Sequence, residues 1–180
     1  MRFRGNQLEG GVSLIQIYTG DGKGKTTAAL GLALRAAGAG FNVYIGQFAK
    51  GRFYSELAAL KRIRNIKLEQ FGRRCFIRVS PDKQDIKLAC EGLAKAKKAI
   101  LNRKYRLIIL DEINIALKLK LVSLREVLGV LKAAPKKKEI VLTGRYAPTE
   151  ILKLADLVSE VRERKHYYKK GVKARKGIEF

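Results

Sequence analysis

The sequence predicts an α/β fold of the phosphate-loop type, a mostly parallel sheet with helices on both faces. Three observations carry this reading. Short β-type apolar runs alternate with helical stretches along the chain, the pattern of βαβ units. A glycine-rich loop joins the first strand to the first helix, and a continuous apolar run further on ends in two carboxylates, Asp111 and Glu112.

The elements follow in order. A strand over 12–18 runs into glycines, and an Ala- and Leu-rich helix over 26–39 is closed by Gly38 and Gly40. Strands are expected over 41–48 and 66–71. Pro81 and Asp82 start a long helix to about Arg103, with apolar Ile86, Leu88, Leu93, Ala96 and Ile100. A buried strand over 106–110 follows, then a helix over 121–134, a strand over 139–142, a helix over 148–155 and a last short strand over 157–161. Sheets of this kind bind ligands at the carboxyl ends of their strands, and the polar motifs fall there.

A chain of 180 residues with 47% hydrophobic content suits one domain spanning 1–180, with 1–11 and about 163–180 as peripheral segments. No run of about 18 apolar residues is present, and the amino end lacks an apolar signal region, so a cytoplasmic protein without membrane contact is expected. Cys75 and Cys90 are too few and too isolated for a disulfide framework or a zinc cluster. The net charge of +23 attracts polyanions without choosing between nucleotides, nucleic acid and acidic proteins. Its basic residues are dispersed, on a helical face (Lys95, Lys97, Lys98), in a loop (Lys136, Lys137, Lys138) and between 162 and 176, as a solvated surface would have them. No nucleic-acid module or aromatic stacking series accompanies them, and nucleic acid is not an expected partner.

The loop reads Gly20-Asp21-Gly22-Lys23-Gly24-Lys25-Thr26-Thr27 and leads directly into a helix. Alternating glycines let the backbone curl until several N–H groups face one anion, and the helix start adds its positive dipole end. Lys25 is placed to reach the terminal phosphates and the Thr26 hydroxyl to ligate Mg²⁺. A chance match at six positions has a probability on the order of 10⁻⁷ per site. The general Walker pattern has a glycine six residues before the lysine, where this chain has Thr19; the loop is a variant, which argues against a generic ATPase.

The acidic pair after the apolar run normally faces Mg²⁺ beside the loop threonine, so Glu112, and less strongly Asp111, are candidate metal ligands; Asp111 could instead cap the next helix. Thr143-Gly144-Arg145 ends another strand and puts Arg145 on the same rim, where a guanidinium suits a phosphate oxygen. Together these groups neutralise a triphosphate. Residue chemistry leaves open whether a phosphorus bond breaks or the whole triphosphate departs from the ribose carbon. A nucleic-acid-dependent ATPase, a kinase and a non-catalytic nucleotide-binding protein would share the loop.

Six stretches, in order, carry a resemblance that covers the chain from about residue 13 to its end: YTGDGKGKTT over 18–27; Gln47-Phe48 with Lys50-Gly51; Leu110-Asp111-Glu112; Thr143-Gly144-Arg145; ADLVSE over 155–160; and Lys165-His166 with GVKA over 171–174 and GIEF over 177–180. They resemble the ATP:corrinoid adenosyltransferases related to cob(I)yrinic acid a,c-diamide adenosyltransferase. The resemblance implies that a Co(I) corrinoid attacks the 5′ carbon of ATP, forming a cobalt–carbon bond and expelling triphosphate, in cobalamin biosynthesis or salvage. It implies that the loop holds the triphosphate, that Lys25 and Arg145 contact it, and that Thr26 and Glu112 hold Mg²⁺. An acidic flavoprotein electron donor and a homodimer are the partners it implies, and the basic surface would steer such a donor in.

Two departures stand out. Some members carry a Phe-x-Trp element against the cobalt face; the corresponding stretch here is Cys75-Phe76-Ile77, and the chain has no tryptophan. Phe76 is the expected corrinoid-facing residue, with Phe71 and Ile77 as neighbours. Relatives also tend to have a longer helical extension before the first strand, where this chain has about eleven residues.

Overall fold

The computed structural model describes residues 13–73 and 81–180. Its elements, in chain order, are β1 (Leu14–Thr19), α1 (Lys25–Gly38), β2 (Asn42–Phe48), α2 (Ser55–Leu60), β3 (Ile66–Phe71), α3 (Lys83–Leu101), β4 (Tyr105–Asp111), α4 (Ile113–Lys118), α5 (Leu124–Lys132), β5 (Glu139–Thr143), α6 (Thr149–Leu154) and β6 (Leu157–Glu160), followed by a 3-10 turn over Tyr167–Lys170. The strands form one six-stranded sheet in the order β3-β2-β4-β5-β1-β6. Every pairing is parallel, so the expected mostly parallel sheet is wholly so among the described residues.

Both faces of the sheet are covered, and strand alternation divides the core accordingly. On one face Ile15, Ile17, Ile108, Leu110, Ile140 and Leu142 pack with residues of α3, α4 and α5. On the other, Val43, Ile45, Leu107, Ile109 and Val141 meet Ala29, Leu30 and Ala33 of α1. Neighbours such as Ile108 and Ile109 are both fully buried because they point to opposite covered faces. A continuous apolar run is what such a strand requires.

Caps set several boundaries. The Asp82 side chain accepts from the Gln84 and Asp85 amides while Asp85 returns a bond to the Asp82 amide, which starts α3 where Pro81 and Asp82 predict. Ser123 does the same with Glu126, so α5 begins at Leu124 rather than at 121. Leu121 and Val122 instead lie buried in the connection, where the Leu121 amide closes α4 on the Ala116 carbonyl at 2.8 Å. The helices α2 and α4 escape the sequence reading because each has six residues and little periodicity. α4 is also largely buried, with Ile113, Asn114, Ala116 and Leu117 all inside.

One basic residue departs from the solvated-loop expectation. Lys138 is only 5% exposed, and its ammonium donates to the carbonyls of Asn102 (2.6 Å) and Tyr105. It thus satisfies carbonyl groups at the exit of α3, a favourable place for a cation.

Candidate active site

All six strands run the same way, so Thr19, Phe48, Asp111 and Thr143 stand at one edge of the sheet. Between β1, which feeds the loop, and β4, which ends in Asp111, lies β5. The intervening strand does not separate the two motifs, because its last residue joins them. Thr143 donates its hydroxyl to Asp111 Oδ1 (2.7 Å) and accepts from the Glu112 amide (2.9 Å). The Thr26 hydroxyl, from the first turn of α1, donates to the same Asp111 oxygen at 2.8 Å.

The other oxygen of Asp111 is equally engaged. Oδ2 accepts from Lys50 Nζ at 2.7 Å and from Gln47 Nε2 at 3.0 Å. Lys50 Nζ also lies 2.9 Å from the Thr26 hydroxyl oxygen and 4.0 Å from Glu112 Oε1. Burial of Asp111 alone would raise its pKa, but Lys50 and the hydroxyl donors hold the carboxyl below the usual carboxylate range. Burial likewise opposes charge on Lys50, yet Asp111 and Glu112 keep it protonated and push its pKa up.

Glu112 carries backbone strain. Its φ of 59° lies in the left-handed region, which costs a non-glycine residue roughly 1–3 kcal/mol and recurs at functional sites. The glycine at 144 leaves it space: a Cβ there would come 3.2 Å from Glu112 Oε2 and 3.0 Å from the Asn114 Cβ. Burial raises the Glu112 pKa, against the pull of Lys50. Glu112 is therefore the carboxylate most in want of a further cation.

The oxygens of Thr26, Asp111 and Glu112 thus converge on one positive charge, the Lys50 ammonium. Hard oxygen donors of this number suit Mg²⁺, which takes one or two carboxylates or hydroxyls from a protein and the rest from water and phosphate. A cation already accommodated at that point, and a left-handed glutamate with a raised pKa, fit such an ion. Among the described residues no group of three or more His, Cys, Asp or Glu could hold a metal without such help.

The loop itself is folded back on the protein. Lys25 is buried and donates to the Gly22 carbonyl at 2.6 Å. Burial lowers its pKa although Glu112 acts in the opposite sense. Gly20 packs so tightly that a Cβ would lie 2.5 Å from the Val161 carbonyl oxygen, and the Gly22 amide donates to that oxygen at 2.7 Å. Asp21, Lys23 and Thr27 are exposed. The Lys23 ammonium is held by Glu179 (2.7 Å) and the Tyr167 hydroxyl (2.7 Å).

Arg145 is exposed on the same rim and shares a cleft of about 550 Å³ with Thr19, Gly20, Asp21, Glu160 and Arg162. Its charge reaches Asp21, Lys25 and Glu112. Loop, threonine, acidic pair and arginine are therefore brought together. Phe71 ends β3 at this same edge, in register with Phe48, but its side chain turns inward: it is 4% exposed and its ring packs against Phe48 (5.8 Å between centroids) and over Gly92 of α3. Phe76 and Ile77, with Cys75, lie outside the described residues.

Sequence reasoning gave no role to Lys50, Gln47 or Thr143. A signal existed for two of them, since Gln47 and Lys50 interrupt an apolar strand end at the rim. Only the β2–β4 register, which sets Gln47 beside Asp111, turns that signal into a contact.

The chain is similar to known proteins over most of its length. The sequence model of the family described as ATP:corrinoid adenosyltransferase BtuR/CobO/CobP matches residues 12–180. The chain is 35% identical to a corrinoid adenosyltransferase of Sinorhizobium sp over 177 residues, covering 93% of this chain and 80% of the relative. It is 34% identical to corrinoid adenosyltransferase CobA of Salmonella typhimurium over 168 residues, covering 93% of this chain and 85% of the relative. A corrinoid adenosyltransferase of Pseudomonas aeruginosa is 35% identical over 169 residues, covering 93% and 83%. With the loop, the acidic strand end and the late arginine on one rim, this chain belongs to the ATP:corrinoid adenosyltransferase family, whose members transfer the adenosyl group of ATP to cobalt corrinoids in cobalamin synthesis or salvage.

Proposed function

We propose that the rim formed by the phosphate loop, Asp111, Glu112 and Arg145 binds the triphosphate of ATP as a leaving group while a Co(I) corrinoid attacks the 5′ carbon. The cobalt–carbon bond forms as the carbon–oxygen bond breaks, and inorganic triphosphate carries away the electron pair. The observation that supports this most is the saturation of Asp111: each of its oxygens already accepts two hydrogen bonds, so Asp111 itself keeps no free edge with which to activate a water or hydroxyl. The site is built to neutralise charge, and a departing triphosphate is the group that needs it.

The residues have separate tasks. The amides of 20–27 line the loop, Lys25 reaches the phosphates by leaving the Gly22 carbonyl, and Arg145 meets them from the outer side. Thr26 and Glu112, with Asp111 behind, would hold Mg²⁺, which supplies further neutralisation of the leaving group. The nucleophile needs no protein base. His166, the chain's one histidine, belongs to the tail, where its Nδ1 accepts from the Tyr168 amide at 3.1 Å. Phe76 and Ile77 remain the residues proposed to face the corrinoid.

The decisive experiment mixes protein, MgATP and chemically reduced cobalamin without oxygen and follows the light-sensitive spectrum of the adenosylated product. Triphosphate should appear in equal amount. Release of ADP, or no product, overturns the reading.

The partners belong to the same proposal. The basic surface suits an acidic flavoprotein donor, so salt should slow a flavoprotein-driven reaction more than one with a small reductant; equal responses remove that idea. A homodimer is supported by the edge strand β6, whose Leu157 and Val158 are 45% and 48% exposed. No helix of the described residues is long and apolar enough to cross a membrane, which is compatible with work in the cytoplasm.

A further inference from the structure

The segment after β6 meets the phosphate loop at its start, through Val161 and Glu163, and again through Tyr167 and Glu179. The Val161 amide donates to the Thr19 carbonyl (2.9 Å) and the Gly22 amide to the Val161 carbonyl (2.7 Å). The Glu163 amide reaches Asp21 Oδ1 at 3.3 Å. The chain then makes the 3-10 turn, reverses at Gly171 with a φ of 81°, and folds the stretch 175–180 into a compact turn in which the Glu179 amide donates to the Arg175 carbonyl at 2.9 Å.

The carboxylate of Glu179 is the hub of this segment. It accepts from Lys23 Nζ, from the Tyr167 hydroxyl, and from the amide (2.7 Å) and guanidinium (3.3 Å) of Arg175. Arg175 and Lys23 both sit over the Tyr167 ring, at 4.9 and 5.5 Å from its centroid. Arg175, Lys23 and Tyr167 hold the Glu179 carboxyl well below the usual carboxylate range. The next residue makes a second attachment: the main-chain oxygen of Phe180 accepts from the Ser55 hydroxyl at 3.0 Å. Two consecutive residues therefore tie the phosphate loop to the first residue of α2. The helix α2 follows Tyr54, whose ring lies 5.7 Å from the Lys50 ammonium.

Two uses of Lys23 are chemically open to it. A lysine inside a phosphate loop is an obvious phosphate ligand, and a carboxylate on it would then compete with the triphosphate. Alternatively the ammonium is a structural pin, and the loop binds phosphate through its main-chain amides and Lys25. The geometry favours the pin. The Lys23 ammonium has an acceptor carboxylate, an acceptor hydroxyl and an aromatic face arranged about it. Each of those partners is itself held by Arg175, so the assembly is a cage rather than one surface ion pair.

We propose that Glu179 is a positioning residue: together with Tyr167 it holds Lys23 and fastens the phosphate loop in its anion-binding curvature. Lys23 then contributes its amide, not its charge, to the triphosphate. The segment 161–180 acts as a strap over the loop, and it works through Lys23 without touching substrate. This rests on the reading of the loop as the triphosphate site and assigns a task to the tail.

The test compares Glu179→Gln, Lys23→Met, the double variant and Lys25→Ala in the full chain, by calorimetric MgATP binding and steady-state kinetics. Each single strap variant should raise the MgATP Kd and KM about tenfold, the factor that loss of one charge-assisted hydrogen bond produces, with kcat and the corrinoid KM little changed. The double variant should be no worse than either single, because one interaction is removed twice. Lys23→Arg should restore binding in part. Additive losses, or unchanged binding in Glu179→Gln, overturn the proposal. Tighter binding in Glu179→Gln with weaker binding in Lys23→Met also overturns it, since Lys23 would then be a direct ligand and Glu179 its competitor. Urea unfolding of each variant separates a loosened strap from a failed fold. Unchanged MgATP binding in Lys25→Ala, by contrast, removes the loop assignment itself.

Discussion

The Lys50 ammonium lies 2.7 Å from Asp111 Oδ2 and shares the Thr26 hydroxyl with that carboxylate, so one side chain two residues past β2 supplies the positive charge that three oxygen-bearing residues require. Asp111 is fully buried, and an uncompensated charge there is costly. On the proposed reading, Lys50 and a divalent cation would be alternatives for the same oxygens.

Lys50→Met should therefore destabilise the nucleotide-free protein by about 3 kcal/mol, the usual loss when one partner of a buried pair is removed. Millimolar Mg²⁺ should recover much of that loss in the variant and little in the parent. Urea unfolding with and without MgCl₂ checks this; a variant insensitive to Mg²⁺ would separate the pair from the metal.

Glu112→Gly should relieve the left-handed strain at φ 59° and raise stability by roughly 1 kcal/mol. Turnover should fall at least about tenfold with the loss of the carboxylate. Thermal unfolding and the adenosylation assay together read the exchange of stability for function. A variant that loses both would show that the conformation at 112 is not strained.

Lys25→Ala should cost the fold only about 1 kcal/mol, the net worth of its bond to the Gly22 carbonyl. The same change should reduce turnover by about a hundredfold or more, as loss of a charged leaving-group donor does. Near-normal activity contradicts the assignment of the loop.

Gly20→Ala brings a methyl group to 2.5 Å from the Val161 carbonyl oxygen, a main-chain atom that cannot turn aside. Its φ of 94° is also unfavourable for alanine. We expect at least about 2 kcal/mol of destabilisation and faster hydrogen exchange at the amides of Val161 and Gly22. Exchange confined to other parts of the chain would contradict the packing of β6's continuation on the loop.

Acid should weaken the start of α3. Arg73 makes two bonds of 2.8 Å to Asp85 and holds that carboxyl below its ordinary value of 3.8, against the effect of burial. A depressed carboxyl pKa contributes stability that is complete above the ordinary value and is lost as pH falls through the lower folded value. Asp85→Asn should thus be less stable than the parent at neutral pH, with the gap closing below about pH 3.8. A gap independent of pH would assign the loss to the helix cap alone.

Much of this protein was legible one segment at a time. The alternation of elements, the glycine loop before α1, the carboxylates after β4 and the arginine after β5 depend on residue type and short spacing, and local backbone preference is enough to express them. The corrinoid family followed from the same stretches, because each keeps its order along the chain. What lies between the stretches was decided by the sheet. The register of β2 against β4 sets Gln47 beside Asp111, and β5 inserts Thr143 between the loop and the acidic pair. Lys138 left the solvated surface to satisfy the carbonyls at the end of α3, and Phe71 turned inward onto Gly92. The strap is the clearest case. Lys23 and Glu179 are separated by nearly the whole chain, and neither residue type nor spacing says that an exposed lysine in a basic protein has found a carboxylate. Pairing across such a distance is a property of the packed fold, since only the folded backbone brings the two charges within reach.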